Sequence, residues 1–187
     1  TIQEIPGVVY PTDFDMGVVG SAYFDTDLAT YHVTTGNFTA WNNGWAYRND
    51  GVDIEVSSDN VNSNGYSIGW LTANEWMQYS VSVANTAVYD INIRVATEVS
   101  GSQLHFEADG AAVSTSVTVP NTGSWQTWQT LTIEDVILDE NDTKLRFYVD
   151  DGVYNLGSFE FVETGSTTDL ETKFQFAKTE DQQTVQL

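Results

Sequence analysis

The sequence predicts an all-β domain, two antiparallel sheets packed face to face as a sandwich of the jelly-roll type. Three observations carry this. Apolar and polar residues alternate with period two through one segment after another. Turn-forming residues, chiefly Gly, Asn and Asp, separate those segments at short intervals. Thr (23) and Val (21) supply 44 of the 187 residues and aromatics 13 %, a composition that suits pleated surfaces. No window holds a capped apolar stripe of helical period.

In chain order, residues 1–65 are irregular and rich in Gly, Asn, Asp and aromatics, as expected of long loops at one end of a sandwich. WMQYSVSV then places Met77, Tyr79, Val81 and Val83 on one face, and VYDINIRVA does the same with Tyr89, Ile91, Ile93 and Val95. QLHFEA aligns Leu104, Phe106 and Ala108; VSTSVTV aligns Val113, Val117 and Val119; KLRFYVD aligns Leu145, Phe147 and Val149. TWQTLTIEDVIL breaks the alternation, which predicts a strand with a bulge. Trp70, Trp76 and Trp128 flank or open strands and are expected in the core. Residues 1–163 thus read as one domain. Residues 164–187 read as a linker or C-terminal tail, with Phe174, Phe176 and Val185 forming a last strand as the alternative. Thr1 is read as the start of a processed fragment.

Charge and composition exclude several function classes. With 27 acidic and 6 basic residues the net charge is −21, and the cations are scattered, so no basic footprint for nucleic acid exists. The same field repels sulfated or uronic-acid polymers and favours a neutral ligand. Without cysteine there is no disulfide, thiolate nucleophile or Cys-ligated zinc. No run approaches the ~20 apolar residues of a membrane-spanning helix. An E-x-D-x-E glycosidase pattern would need an acid two residues before Asp53, where Gly51 stands. His32 and His105 lack metal or triad spacing, and His105 is expected on the solvated face of its strand.

Two aromatics fall outside the strand patterns. Trp125, in PNTGSWQTW, follows turn residues, and Tyr47, in YRNDGVDIE, precedes a strand. An aromatic face at a sandwich edge calls for a cover, and the C–H face of a sugar ring provides one. The alternative for such a tryptophan is a lid folded back on the core.

YRNDGVDIE (47–55), GWLTANEWMQYSVSV (69–83), YDINIRVA (89–96), PNTGSWQTW (120–128) and TKLRFYVDDGVYNLGSFEFV (143–162), with IPGVVYPTDFDMG and AYFDTD near the start, together resemble the family 6 carbohydrate-binding modules. The resemblance runs in order over about residues 5–162. It implies a non-catalytic, secreted, monomeric β-sandwich, covalently linked to a polysaccharide-degrading catalytic domain. It implies a sugar stacked between Tyr47 and Trp125 and hydrogen-bonded by Asn155, with Trp41, Trp45 and the Asn42–Asn43 loop as a further wall or as structure. The ligand expected is a neutral polysaccharide, a β-1,3-glucan of laminarin type ahead of agarose or xylan. The rival classes are a small glycoside hydrolase with paired carboxylates and a structural or adhesion domain.

The resemblance also implies a structural calcium ion. Its usual carboxylate positions here hold Tyr10, Thr12 and Gly157, so the expectation is a site shifted to Asp13, Asp15, Asp25 or Asp27, or no site.

Overall fold

The computed structural model describes residues 1–26, 47–48 and 50–168. Its strands are β1 (Gln3–Ile5), β2 (Gly7–Val9), β3 (Tyr23–Phe24), β4 (Ile54–Val56), β5 (Tyr66–Ile68), β6 (Trp76–Val83) and β7 (Ala87–Ala96). They continue as β8 (Gln103–Ala108), β9 (Ala111–Ala112), β10 (Val117–Thr118), β11 (Gln129–Leu138), β12 (Lys144–Asp151) and β13 (Asn155–Gly165). One sheet runs β1-β6-β12-β8-β10, with β3 on β6 and β9 on β8; the other runs β11-β7-β13-β5-β4, with β2 on β13. Pairing is antiparallel throughout the named strands except at β1, which lies parallel to β6 with Gln3 opposite Val81.

Period-two alternation decides which side chains meet between the sheets. Met77, Tyr79, Ile91, Ile93, Leu104, Phe106, Leu145, Phe147 and Val149 are all buried, as the alternation predicts. Phe159 is the aromatic hub. Its ring stacks on Phe147 (5.6 Å) and meets Phe106 (5.1 Å) and Tyr79 (5.9 Å) edge to face. The expected bulge is present in β11, where the register slips between Ile133 and Val136 and Asp135 adopts φ +57°.

Three expectations from the sequence are corrected. Trp76 is only partly covered, on the outer face of its sheet, with the Arg146 guanidinium 3.9 Å above its ring. Trp70 is exposed rather than core. Trp128 is likewise only partly covered rather than core. His105 stands on the outer face of its strand as expected, where its Nδ1 lies 2.8 Å from Asp150 Oδ1 and its ring stacks on Tyr148 at 5.0 Å. Phe174, Phe176, Val185, Trp41, Trp45 and His32 lie outside the described residues.

Candidate functional site: a tryptophan-lined cleft at the sheet edge

The end of β4, the turn after β5, the loop before β11 and the start of β13 converge on a cleft of about 230 Å³. Glu55, Trp70, Trp125, Val153 and Asn155 line it. The volume falls below the ~300 Å³ at which drug-sized ligand pockets begin, so the cleft suits a small ring unit.

Each lining residue has a local cause. β4 alternates, and since Ile54 is fully buried, Glu55 turns to the other side. Trp70 follows Gly69 at the end of β5 and takes φ +51°, a left-handed conformation unusual for a bulky residue. Such backbone strain survives only where the surroundings enforce it, and it holds the indole outward at 37 % exposure. Trp125 sits on a loop pinned at its base. Thr97 N donates to Thr122 Oγ1 (2.8 Å) and Thr122 N to Thr97 O (2.9 Å), while Gly123 N donates to Asn121 Oδ1 (2.8 Å) in an Asx turn.

Asn155, 3 % exposed, ties these pieces together. Its Nδ2 donates to Glu55 Oε1 and to the Trp125 carbonyl, both at 2.7 Å. Both amide hydrogens are thereby used, which leaves Oδ1 as the acceptor. Glu55 Oε1 also accepts from Gln126 Nε2 at 2.7 Å. Gln126 in turn accepts from Ser58 N (2.8 Å) and Trp128 Nε1 (3.2 Å). Burial pushes the Glu55 carboxyl above the usual carboxylate range, against the hydrogen bonds from Gln126 and Asn155, which favour the charged form.

The backbone of Gly69 passes so close to Asn155 that a Cβ there would lie 2.6 Å from Asn155 Oδ1. Gly69→Ala is therefore expected to push the amide out of place. The cleft's affinity for a ligand that bonds to Asn155 should fall at least about tenfold, by the order of one lost buried hydrogen bond, with the sandwich still folded by circular dichroism.

The structure brings Trp125 and Asn155 together but leaves Tyr47 out of the cleft. The Tyr47 hydroxyl donates to the Asp13 carboxylate and accepts from Asn64 Nδ2 (3.2 Å), and its ring packs at 4.8 Å on Tyr66. Those contacts anchor it elsewhere, and Trp70 supplies the cleft's other ring. Trp70 and Glu55 were missed by sequence reasoning because flanking strands made the tryptophan look like packing and a failed catalytic pattern made the acid look ordinary. A Gly-Trp pair leaving a strand was the available signal. Among the described lining residues Glu55 is the lone carboxylate, whereas glycoside cleavage uses two about 5–9.5 Å apart.

The usual calcium positions do not fit the ion, and Asp27 of the shifted alternative lies outside the described residues. Tyr10, Thr12 and Gly157 offer no carboxylate, and Thr12 Oγ1 accepts from Asn64 Nδ2 at 2.9 Å. The Arg48 guanidinium takes the nearby carbonyls of Phe14 (2.6 Å), Thr12 (3.2 Å) and Asp15 (3.3 Å). Asp13 receives the Tyr47 hydroxyl, and Asp15 accepts from Ser80 N and Oγ. Among the described residues no group of three or more His, Asp or Glu side chains is arranged to hold a metal ion.

The family model described as "Carbohydrate binding module (family 6)" matches residues 45–163. The chain belongs to this family. Family 6 modules are non-catalytic, and the two-sheet sandwich is their fold. The module is 28 % identical over 139 residues to the beta-agarase AgaA of Microbulbifer thermotolerans, covering 69 % of this chain and 31 % of the agarase. Among solved structures, it resembles the family 6 module CBM6cm-2 of Cellvibrio mixtus lichenase 5A, in complex with cellotriose. That match has a TM-score of 0.55 and 28 % identity, over 61 % of this chain and 88 % of that one. The C-terminal family 6 module of LamC, a marine laminarinase from Zobellia galactanivorans, matches with a TM-score of 0.54 at 26 % identity, over 60 % of this chain and 88 % of that one. The module thus spans about a third of the agarase and most of each isolated module.

Proposed function

We propose that this carbohydrate-binding module holds one sugar unit of a neutral polysaccharide in the cleft lined by Trp70 and Trp125, and so targets an attached glycoside hydrolase to its substrate outside the cell. The observation that carries this is the joint presence, in one cleft, of two indole side chains and two anchored acceptors, Glu55 and Asn155. The C–H face of a pyranose covers an indole while its edge hydroxyls donate to those acceptors. The expected affinity is modest, about −4 to −8 kcal/mol, and a tethered enzyme raises its effect through local concentration.

The polymer favoured is a β-1,3-glucan of laminarin type. A net charge of −21 disfavours anionic chains, and a similar module belongs to a laminarinase. Agarose is the second reading, supported by the agarase relative. Affinity electrophoresis against laminarin, agarose, xylan and a sulfated galactan tests the proposal. Retardation by laminarin or another neutral polymer is expected; retardation by the sulfated polymer alone would overturn it.

Glu55 makes binding pH-dependent. Its carboxylate is the better acceptor, so affinity is full above its raised pKa and declines as the pH falls through it. The stability sign is opposite to that of a salt-bridged acid. A raised carboxyl pKa means that the charged form costs stability above the folded-state value, and that this cost is absent below the unfolded-state value. Glu55→Gln is therefore expected to raise Tm at neutral pH while weakening sugar binding. Thermal melts and titrations in neutral and mildly acidic buffer check both; a Tm drop with unchanged affinity would contradict the role.

No carboxylate stands at the usual calcium positions, so Tm is expected to be the same in EDTA and in excess calcium, as differential scanning fluorimetry would show.

A further inference from the structure

Strand alternation in β4 brings a carboxylate, Glu55, into the same cleft as the indoles of Trp70 and Trp125. The other lining residues, Val153 and Asn155, carry no charge. Glu55 is half-buried and belongs to no ion pair among the described residues. Burial raises its carboxyl above the usual carboxylate range, and only the neutral amides of Gln126 and Asn155 pull the other way. Both amides donate to the same oxygen, Oε1, at 2.7 Å. Oε2 makes no hydrogen bond among the described residues, nor is it sealed in the interior. An anchored, partly desolvated carboxylate oxygen is thus left for whatever enters the cleft.

This arrangement suits positive charge. Indole faces attract a cation through the ring quadrupole, and a carboxylate beside them supplies the counter-charge. A half-buried carboxylate gains more from a cation than a solvated one does, because the lower local dielectric strengthens the pairing. Arg48, Arg94 and Arg146 are already paired with Asp50, Asp59 and Glu107, so none of them answers Glu55. At longer range, the net charge of −21 that turns away anionic polymers draws cationic ones in.

We infer that the cleft takes an amino sugar, its ring against the indoles and its ammonium group on Glu55 Oε2, in preference to the neutral sugar of the same shape. This rests on the reading of the cleft as a sugar site and adds to it a ligand class, the cationic amino-polysaccharides. A sugar hydroxyl gives Oε2 one neutral hydrogen bond. An ammonium group gives it a hydrogen bond with charge on both partners, which is the stronger kind. An N-acetylated amine carries no charge and forfeits that gain.

The test is titration of the intact chain at low ionic strength, slightly below neutral pH, followed at the indole Nε1–H resonances of Trp70 and Trp125. The probes are methyl glucoside, methyl glucosaminide and methylammonium chloride. The two sugars differ by one hydroxyl exchanged for an ammonium group, and methylammonium has the charge without the ring. The glucosaminide is expected to bind at least about tenfold more tightly than the glucoside, and methylammonium more weakly than the glucosaminide. In Glu55→Gln the two sugars should bind alike, a ratio that isolates the charge whatever the substitution does to sugar binding as a whole. On the native protein, the Glu55 carboxyl carbon resonance should move as the glucosaminide saturates. Equal affinities for the two sugars in the native protein would overturn the inference and leave the neutral-sugar reading in place. A preference that persists in Glu55→Gln, or an unmoved Glu55 resonance, would assign it to the overall charge and overturn this site. Methylammonium binding as tightly as the glucosaminide would likewise overturn it. Glu55-dependent binding of the glucosaminide, with no binding of the glucoside or of laminarin and agarose oligosaccharides, would support the inference and overturn the neutral-polymer reading. No movement of either indole with any probe would overturn both.

Discussion

Trp125→Ala is expected to weaken binding of a neutral oligosaccharide to the cleft by about 2 kcal/mol or more, some thirtyfold, and so to erase retardation of the purified module by the polymer. The indole is partly exposed, so its loss removes stacking area without opening a core cavity. The loop that carries it should persist. Asn155 bonds to the Trp125 carbonyl, which alanine retains, and the Thr97–Thr122 pair holds the loop base. Trp128→Ala is the informative contrast. That ring lies 3.2 Å from where a Cβ on Gly157 would sit, and its Nε1 reaches Ser58 Oγ and Gln126 Oε1. Its removal should lower Tm as well as affinity. Unchanged titration of Trp125→Ala would remove the cleft from the function.

Phe159→Ala is expected to destabilise the module by about 3–5 kcal/mol, which for a chain of this size lowers Tm by roughly 6–20 °C. Phe159 is fully buried, and its ring contacts Phe147, Phe106 and Tyr79 across the two sheets. No small shift of the sheets refills that space, because interiors are packed to crystal-like density. Phe159→Leu, which keeps most of the volume, should cost far less. Chemical denaturation of both variants checks the difference; equal stabilities would place the centre of the core elsewhere.

Much of the sandwich was legible because one physical rule writes it. A strand half-buried on one face must alternate, and WMQYSVSV, VYDINIRVA and KLRFYVD do so without interruption. The parallel β1–β6 pair was not legible. Three residues are too few for a pattern, and their direction is set by where the chain returns, a long-range matter. The cleft was half legible. Trp125 stood out because it follows turn residues, and Asn155 because the family resemblance carried it. Trp70 was hidden because its exposure depends on a left-handed backbone angle, which Trp disfavours and sequence pattern does not announce. Tyr47 misled for the converse reason: its position looked like a rim, but Asp13 and Tyr66 hold it to a different cluster. Glu55 needed Asn155 and Gln126, 100 and 71 residues away, to become an anchored acceptor.

The most direct test of the Trp70–Trp125 cleft is an indole N–H NMR titration of the intact chain with soluble laminarin oligosaccharide, repeated with an agarose-derived one. The account predicts that the Nε1–H resonances of Trp70 and Trp125 move together with a single saturation curve, while that of Trp76, under Arg146 on the other sheet, stays fixed. Movement of Trp76 with Trp70 and Trp125 unmoved would contradict it.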